Sequence, residues 1–280
     1  MVSSIARWLV RMQCYYLSGV FITLASKIIG SGCKISYDKN GYWKHTCQTV
    51  IINEAFPNIR MDAAVLQKFN EEVYFFNYRP REKDVCVDVG AGIGTETIFI
   101  SREIGNSGKI YAIEASPFTY SILKANVLEN GLPNVTSANL AISDQNGKIK
   151  ISDIGDDHIS NSIRQAGPSD KGIDIEALTM DDFIRNNKIE RIDYLKVNIE
   201  GAEKLLIKSF KHISIVRNIA ISCHDFLGQR KGDPDLYTKD AVTAFLRDNG
   251  FQIQSRNTGT DYADDWIYGV NERASVNTFS

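Results

Sequence analysis

The chain has no cysteine pair at C-x-x-C spacing, no internal repeat, no low-complexity tract and no excess of either charge. Its five cysteines, Cys14, Cys33, Cys47, Cys86 and Cys223, are scattered and odd in number. That pattern excludes a zinc knuckle and argues against a disulfide framework, so a reducing, cytoplasmic compartment fits it better. A formal net charge of -2 leaves no global field to draw in nucleic acid, and no nucleic-acid partner is expected. Long apolar runs are missing too. The uncharged N-terminal stretch, residues 12–26, falls short of the roughly 20 apolar residues a spanning helix needs, and it contains Gln13, Ser18 and Thr23. Arg7 and Arg11 before it also give it the look of a secretory signal. The expected state of this segment is a helix packed on the domain. The alternative is peripheral membrane contact through residues 5–29.

What is present is ordinary globular material, 43% hydrophobic and 24% charged. Residues 1–70 show no clean period. With turns at Gly30-Ser31-Gly32 and Lys39-Asn40-Gly41, they read as a helical and irregular extension covering one side of a core that occupies 71–280. From Asp84 the texture changes. VCVDVG (85–90), KIYAIEA (109–115), NVTSANLAIS (134–143), RIDYLKVNIE (191–200) and RNIAISC (217–223) read as buried strands, and GKIKISD (147–153) as a short alternating one. Helical stretches separate them at 93–104, 117–129, 179–187 and 202–210, and a further helix, 240–249, precedes a terminal hairpin of FQIQS (251–255) and DWIYGV (265–270). Strand and helix in alternation predict an α/β fold with a mostly parallel sheet covered on both faces and a site at the carboxyl ends of the strands.

The first strand-to-helix turn reads Asp88-Val89-Gly90-Ala91-Gly92-Ile93-Gly94, and Glu114 ends the next strand. Glycines there let the backbone approach a ligand, and the carboxylate can accept both hydroxyl protons of a ribose. A dinucleotide fingerprint would need glycine at position 95, which is Thr. Asp88 and Glu96 flank the loop and would repel a pyrophosphate, whereas a sulfonium and an α-amino group would be welcome beside them. The charge pattern therefore favours S-adenosyl-L-methionine over NAD. That cofactor is made in the cytosol, which weighs against the secretory reading of the N-terminus.

These residues resemble the FkbM-type methyltransferases, class I enzymes of which many methylate sugar hydroxyls. The likeness runs from about Asp84 to His224 through DVCVDVGAGIGTET (84–97), IYAIEASP (110–117), NLAISDQNG (139–147), LTMDDF (178–183), YLKVNIEGAEKLLI (194–207) and ISCHD (221–225). It implies a Rossmann-like seven-stranded sheet. It also implies that Asp88, Gly90, Ala91, Gly92, Gly94, Thr95, Glu96 and Glu114 hold the cofactor, with Ala115, Ser116, Ser143 and Asp144 near its adenine. One departure stands out: Asn198 occupies the place where the family usually has Asp.

Within 194–200, Lys196, Asn198 and Glu200 alternate with apolar residues and so share one side of the strand. Together with His224 they are the candidate catalytic groups, His224 being the natural general base near neutral pH. A second reading makes Lys196 the buried partner of a carboxylate and Asn198 or Glu200 a helix cap. Asn198, Glu200, His224 and Asp225 could also form an oxygen-rich metal site, but no ligand spacing supports it and no metal is expected. Residues 153–174, polar and rich in glycine and proline, read as a flap over a small-molecule or glycan acceptor. Asn198 raises a further alternative, a non-catalytic cofactor-binding relative.

Overall fold

The computed structural model describes residues 14–38, 41–152 and 172–274. Its N-terminal part differs from the expected helical and irregular extension. Helix α1 (Tyr15–Ile28) is followed by an antiparallel sheet of β1 (Lys34–Tyr37), β2 (Trp43–Cys47) and β3 (Val50–Glu54). In β2 every second residue, Trp43, His45 and Cys47, is buried. That strand period is invisible when apolar residues alone are counted, because histidine holds one of the inward positions. Cys33 and Cys47 face each other across β1 and β2 with Cα atoms 4.2 Å apart, and they form a disulfide. This corrects the expectation of unpaired cysteines, since strand register, not local spacing, brings the two together.

Helix α2 (Ala63–Phe69) is N-capped by Asp62, which accepts from the N–H groups of Ala64 and Val65, and runs on into a π turn at Asn70–Tyr74. The boundary expected between residues 70 and 71 falls inside this helical run. Val73, Tyr74 and Phe75 already belong to a cluster with Cys86, Ile100 and Tyr194 of the core.

From Val85 the strands and helices alternate as expected. The chain runs β4 (Val85–Val89), α3 (Thr95–Ile104), β5 (Lys109–Glu114), α4 (Pro117–Glu129) and β6 (Val135–Asn139). Ser116 caps α4 ahead of a proline at its first turn. The stretch read as one strand at 134–143 is split. After β6 the chain turns out of the main sheet, and β7 (Ala141–Ile142) pairs with β9 (Gly172–Leu178), which also pairs with β8 (Gly147–Ser152). The expected flap lies outside the described residues, except that 172–174 open β9. There follow α5 (Met180–Asn186), β10 (Ile192–Val197), α6 (Glu203–Ser209), β11 (Val216–Ser222), α7 (Asp225–Lys231), α8 (Lys239–Asp248), β12 (Gln252–Ser255) and β13 (Trp266–Val270).

The main sheet has the order β6-β5-β4-β10-β11-β13-β12. The first five strands are parallel, and β13 runs against both of its neighbours. The chain winds outward in one direction from β4 and in the other from β10, so a crevice opens where these two strands diverge at their carboxyl ends.

Buried asparagines fasten the N-terminal sheet to this crevice. Asn126 of α4 accepts from Asn53 N–H at 2.6 Å and donates to the carbonyls of Asn53 and of Ile93 in the glycine loop. His45 fixes the loop after β3. Asn58 N–H donates to its Nε2 at 3.0 Å, so Nδ1 carries the ring hydrogen and donates to the Ile52 carbonyl at 3.2 Å. Burial depresses the His45 pKa from 6.5 to about 4. Because the folded value lies below the unfolded one, the contribution of His45 to stability is complete above pH 6.5 and is lost as the pH falls toward 4. The loss should amount to about 3 kcal/mol. Urea denaturation at stepped pH should therefore show a shallower acid limb for His45→Gln than for the wild type.

Candidate active site

A cavity of about 710 Å³ lies at the crevice. Its floor comes from the carboxyl ends of β4, β5 and β10, and one wall from Glu54 at the end of β3 and the residues 55–60 that follow it. The glycine loop takes its shape from two contacts. Gly90 and Ala91 donate their N–H groups to the Ile113 carbonyl at 2.9 Å each. Gly90 also sits at φ +73, and a Cβ there would come within 1.9 Å of the Asn198 carbonyl oxygen. No side chain fits at this crossing of β4 and β10.

Glu114 holds the loop from the other side. Its carboxylate accepts from Gly92 N–H at 2.9 Å and Ser116 N–H at 2.8 Å. Burial raises its pKa, and these bonds partly offset the rise. Each carboxylate oxygen keeps lone-pair capacity for a further donor such as a ribose hydroxyl. Around Gly92 a Cβ would meet nothing within 4 Å, so the space beside the loop is open to a ligand.

Beneath the loop lies a buried ion cluster. The Lys196 ammonium contacts Asp88 Oδ1 and the Gly90 carbonyl at 2.9 Å each, and it lies over the Tyr74 ring at 5.7 Å. Thr97 donates to the other Asp88 oxygen at 2.7 Å. Burial alone would push the lysine pKa down, yet the charges of Asp88, Glu96 and Glu114 hold it above its ordinary value. Lys196 therefore stays protonated. It is the partner of a carboxylate, as the second sequence reading had it, and not an available base.

His224 also departs from its expected role. It is buried and is not in the cavity wall. Its Nδ1 lies 3.1 Å from Glu203, and Nε2 lies 3.5 Å from Glu200. Burial opposes the charge, but hydrogen bonds and charges from Glu200 and Glu203 outweigh it and raise the pKa to about 10. At neutral pH the ring is an imidazolium with no free lone pair to accept a proton.

The other candidates divide cleanly. Gly90, Ala91, Gly92, Thr95, Glu96, Glu114, Ala115, Lys196, Asn198 and Glu200 line the cavity. Asp88 and Gly94 do not line it: Asp88 pairs with Lys196 beneath the loop, and Gly94 starts α3 pressed against Leu123. Ser116 is spent on capping α4. Ser143 and Asp144 face elsewhere: Asp144 pairs with Lys208 at 2.7 Å, and the Ser143 carbonyl accepts from Ser209. Their places in the cavity are taken by Leu140, Ala141 and Ile142. Sequence reasoning missed the whole wall 54–60. In it, burial lifts the Glu54 carboxyl to a pKa of about 7. No motif marks it.

A glycine loop over a strand end, a carboxylate on the next strand and a mixed seven-stranded sheet define a class I S-adenosylmethionine-dependent methyltransferase. The Methyltransferase FkbM domain model matches residues 88–253, and the chain belongs to that family. It is 26% identical over 199 residues to methyltransferase sdnD of Sordaria araneosa, covering 60% of this chain and 73% of that protein. Among solved structures, methyltransferase FkbM from Methylobacillus flagellatus KT is similar at a TM-score of 0.50 and 18% identity, and the match covers 73% of this chain and 50% of that one. Aeropyrum pernix fibrillarin, solved with natively bound S-adenosyl-L-methionine, gives a TM-score of 0.45 at 16% identity over 85% of this chain and 94% of its own.

Two substitutions separate the two layers of the site. Lys196→Met leaves the buried carboxylate of Asp88 without its cation and should lower unfolding free energy by about 3–5 kcal/mol in denaturant titration. Glu114→Ala should weaken S-adenosylmethionine binding by about 1.5–3 kcal/mol in calorimetry.

Proposed function

We propose that the enzyme methylates a hydroxyl of a sugar, in a glycan, glycolipid or glycosylated metabolite, with Glu200 as the base and Asn198 as the group that orients the acceptor. One observation carries this reading. Asn198 Oδ1 is buried, lines the cavity and has no hydrogen-bond partner among the described residues. A buried acceptor atom is costly until a donor reaches it, and a hydroxyl is such a donor.

The bound cofactor would supply an activated methyl carbon. The chain must align the acceptor oxygen and take its proton. Asparagine can accept a hydrogen bond but no proton. Glu200, two residues further along and also lining the cavity, can accept a proton. Its backbone is held at φ +54 and His224 stands 3.5 Å from its carboxylate, so its position is fixed from behind. His224 is thus a positioning residue. Alignment in a cavity of this kind can supply several kcal/mol of the barrier.

Support for a sugar comes from the family, many of whose members act on sugar hydroxyls. The cavity also offers acceptor atoms from Asn198, Glu200 and Glu54. A lipid or other small-molecule acceptor is the second reading, favoured by the apolar wall of Phe56, Ile59, Ile122, Leu140 and Ile142.

Glu200→Gln should lower kcat by about 10²–10⁴-fold with cofactor affinity unchanged. The assay is release of S-adenosylhomocysteine over a panel of glycosides. A wild-type rate in this variant would remove Glu200 from the mechanism, and turnover of lipids but no glycoside would replace the sugar reading by the second.

A further inference from the structure

Helix α1 is inside out. The face it turns to the protein is small and polar: Ser18, Gly19 and Ser26 are buried there with Ile22. The reason lies in β1, which is the edge of its sheet. Thr23 Oγ1 donates to the Ile35 carbonyl at 2.8 Å and accepts the Ile35 N–H at 2.9 Å, so one hydroxyl satisfies an otherwise open strand edge. Gly19 lets the helix come close enough for this, since a Cβ there would lie 3.1 Å from the Ile35 carbonyl oxygen.

The apolar residues are left outside. Tyr16, Leu17, Val20, Leu24 and Ile28 follow the spacing of one helical face and are all exposed, Tyr16 by 83% and Ile28 by 85%. The stretch Tyr15–Ile29 supplies seven of the fourteen exposed large hydrophobic side chains among the described residues. Scattered apolar residues on a surface need no explanation, but a contiguous face does.

Charge identifies what covers it. The first acidic residue of the chain is Asp38, and the 37 residues before it hold four basic ones, Arg7, Arg11, Lys27 and Lys34. This is a local cationic segment in a chain whose net charge is -2. Helix α1 has 14 residues, and at about 1.5 Å per residue it spans roughly 21 Å, too short to cross a hydrocarbon core of about 30 Å. No helix among the described residues is long and apolar enough to cross a membrane. An apolar helical face with tyrosines at one end and flanking lysines suits the headgroup boundary of an anionic bilayer.

We propose that the outer face of α1 docks this enzyme on an anionic membrane surface, lying in the interface without spanning it. The inner face of α1 packs on the layer that carries the cavity wall, because Ile59 both packs in the cluster of Ile22, Ile35 and Trp43 and lines the cavity, so the docked face looks away from that layer. The proposal does not depend on which acceptor is methylated.

The test is flotation of the full chain with vesicles of phosphatidylcholine and phosphatidylserine at 3:1, and with phosphatidylcholine alone. The wild type should bind the anionic vesicles, at least tenfold more weakly in 0.5 M salt, in line with charge screening. Leu17→Glu/Leu24→Glu/Ile28→Glu should reduce binding at least tenfold without changing the melting temperature, as these side chains touch no core. Lys27→Glu/Lys34→Glu should reduce binding to anionic vesicles while leaving the apolar face intact, and so isolates docking from any effect on folding. Absence of wild-type binding, or unchanged binding in both variants, would overturn the proposal. So would a wild-type dimer that becomes monomeric in the triple variant while vesicles stay unbound, since a second copy would then be the occupant.

Discussion

Asp88, Glu96 and Glu114 converge where β4, β5 and the first turn of α3 meet, and the ammonium of Lys196 is the charge that lets them share that space. The lysine belongs to β10, so the same contact joins the two strands on either side of the crevice. Its hydrogen bond to the Gly90 carbonyl reaches the loop itself. Gly90 must then be glycine, because β10 passes so close that no side chain fits. One buried cation thus links the loop, the carboxylate cluster and the pairing of β4 with β10. Such clusters contribute little net stability when complete and are severely destabilising when one member is lost.

Much of this was legible in the sequence. The parallel core announced itself because its strands are buried on both faces and read as continuous apolar runs, as in β10, where Ile192, Tyr194, Leu195 and Val197 are all enclosed. The glycine loop and Glu114 were legible because backbone geometry and ribose chemistry leave few residue types to choose from. The N-terminal sheet was not. Its buried positions include His45 and Asn53, so a search for apolar alternation passes over it.

The catalytic side was half legible for a related reason. Period two grouped Lys196, Asn198 and Glu200, but β10 ends at Val197, so the last two belong to the turn beyond it, and the pattern could not tell a charge compensator from a base. That distinction depends on Asp88, which lies more than a hundred residues earlier in the chain, and on burial. His224 illustrates the same point. Its intrinsic chemistry suits proton transfer, while two glutamates brought in by the turn before α6 and by α6 itself, Glu200 and Glu203, keep it charged and turned away. Glu54 carried no signal at all, since a single acid at the end of an unrecognised strand looks like any other.

The cavity is composite in its geometry. Its floor is written in the glycine loop and the ends of β4, β5 and β10, where nearly every residue answers to a neighbour. Its wall at Glu54–Arg60 is written in a separate stretch, held by a histidine and a pair of asparagines rather than by the charged cluster. The two parts meet at Asn126, which bonds Asn53 on one side and the Ile93 carbonyl of the glycine loop on the other. A side-chain change within 55–60 therefore redraws the outline of the cavity without removing a member of the charged cluster, whereas a change at Asn53 or Asn126 is felt on both sides of the seam.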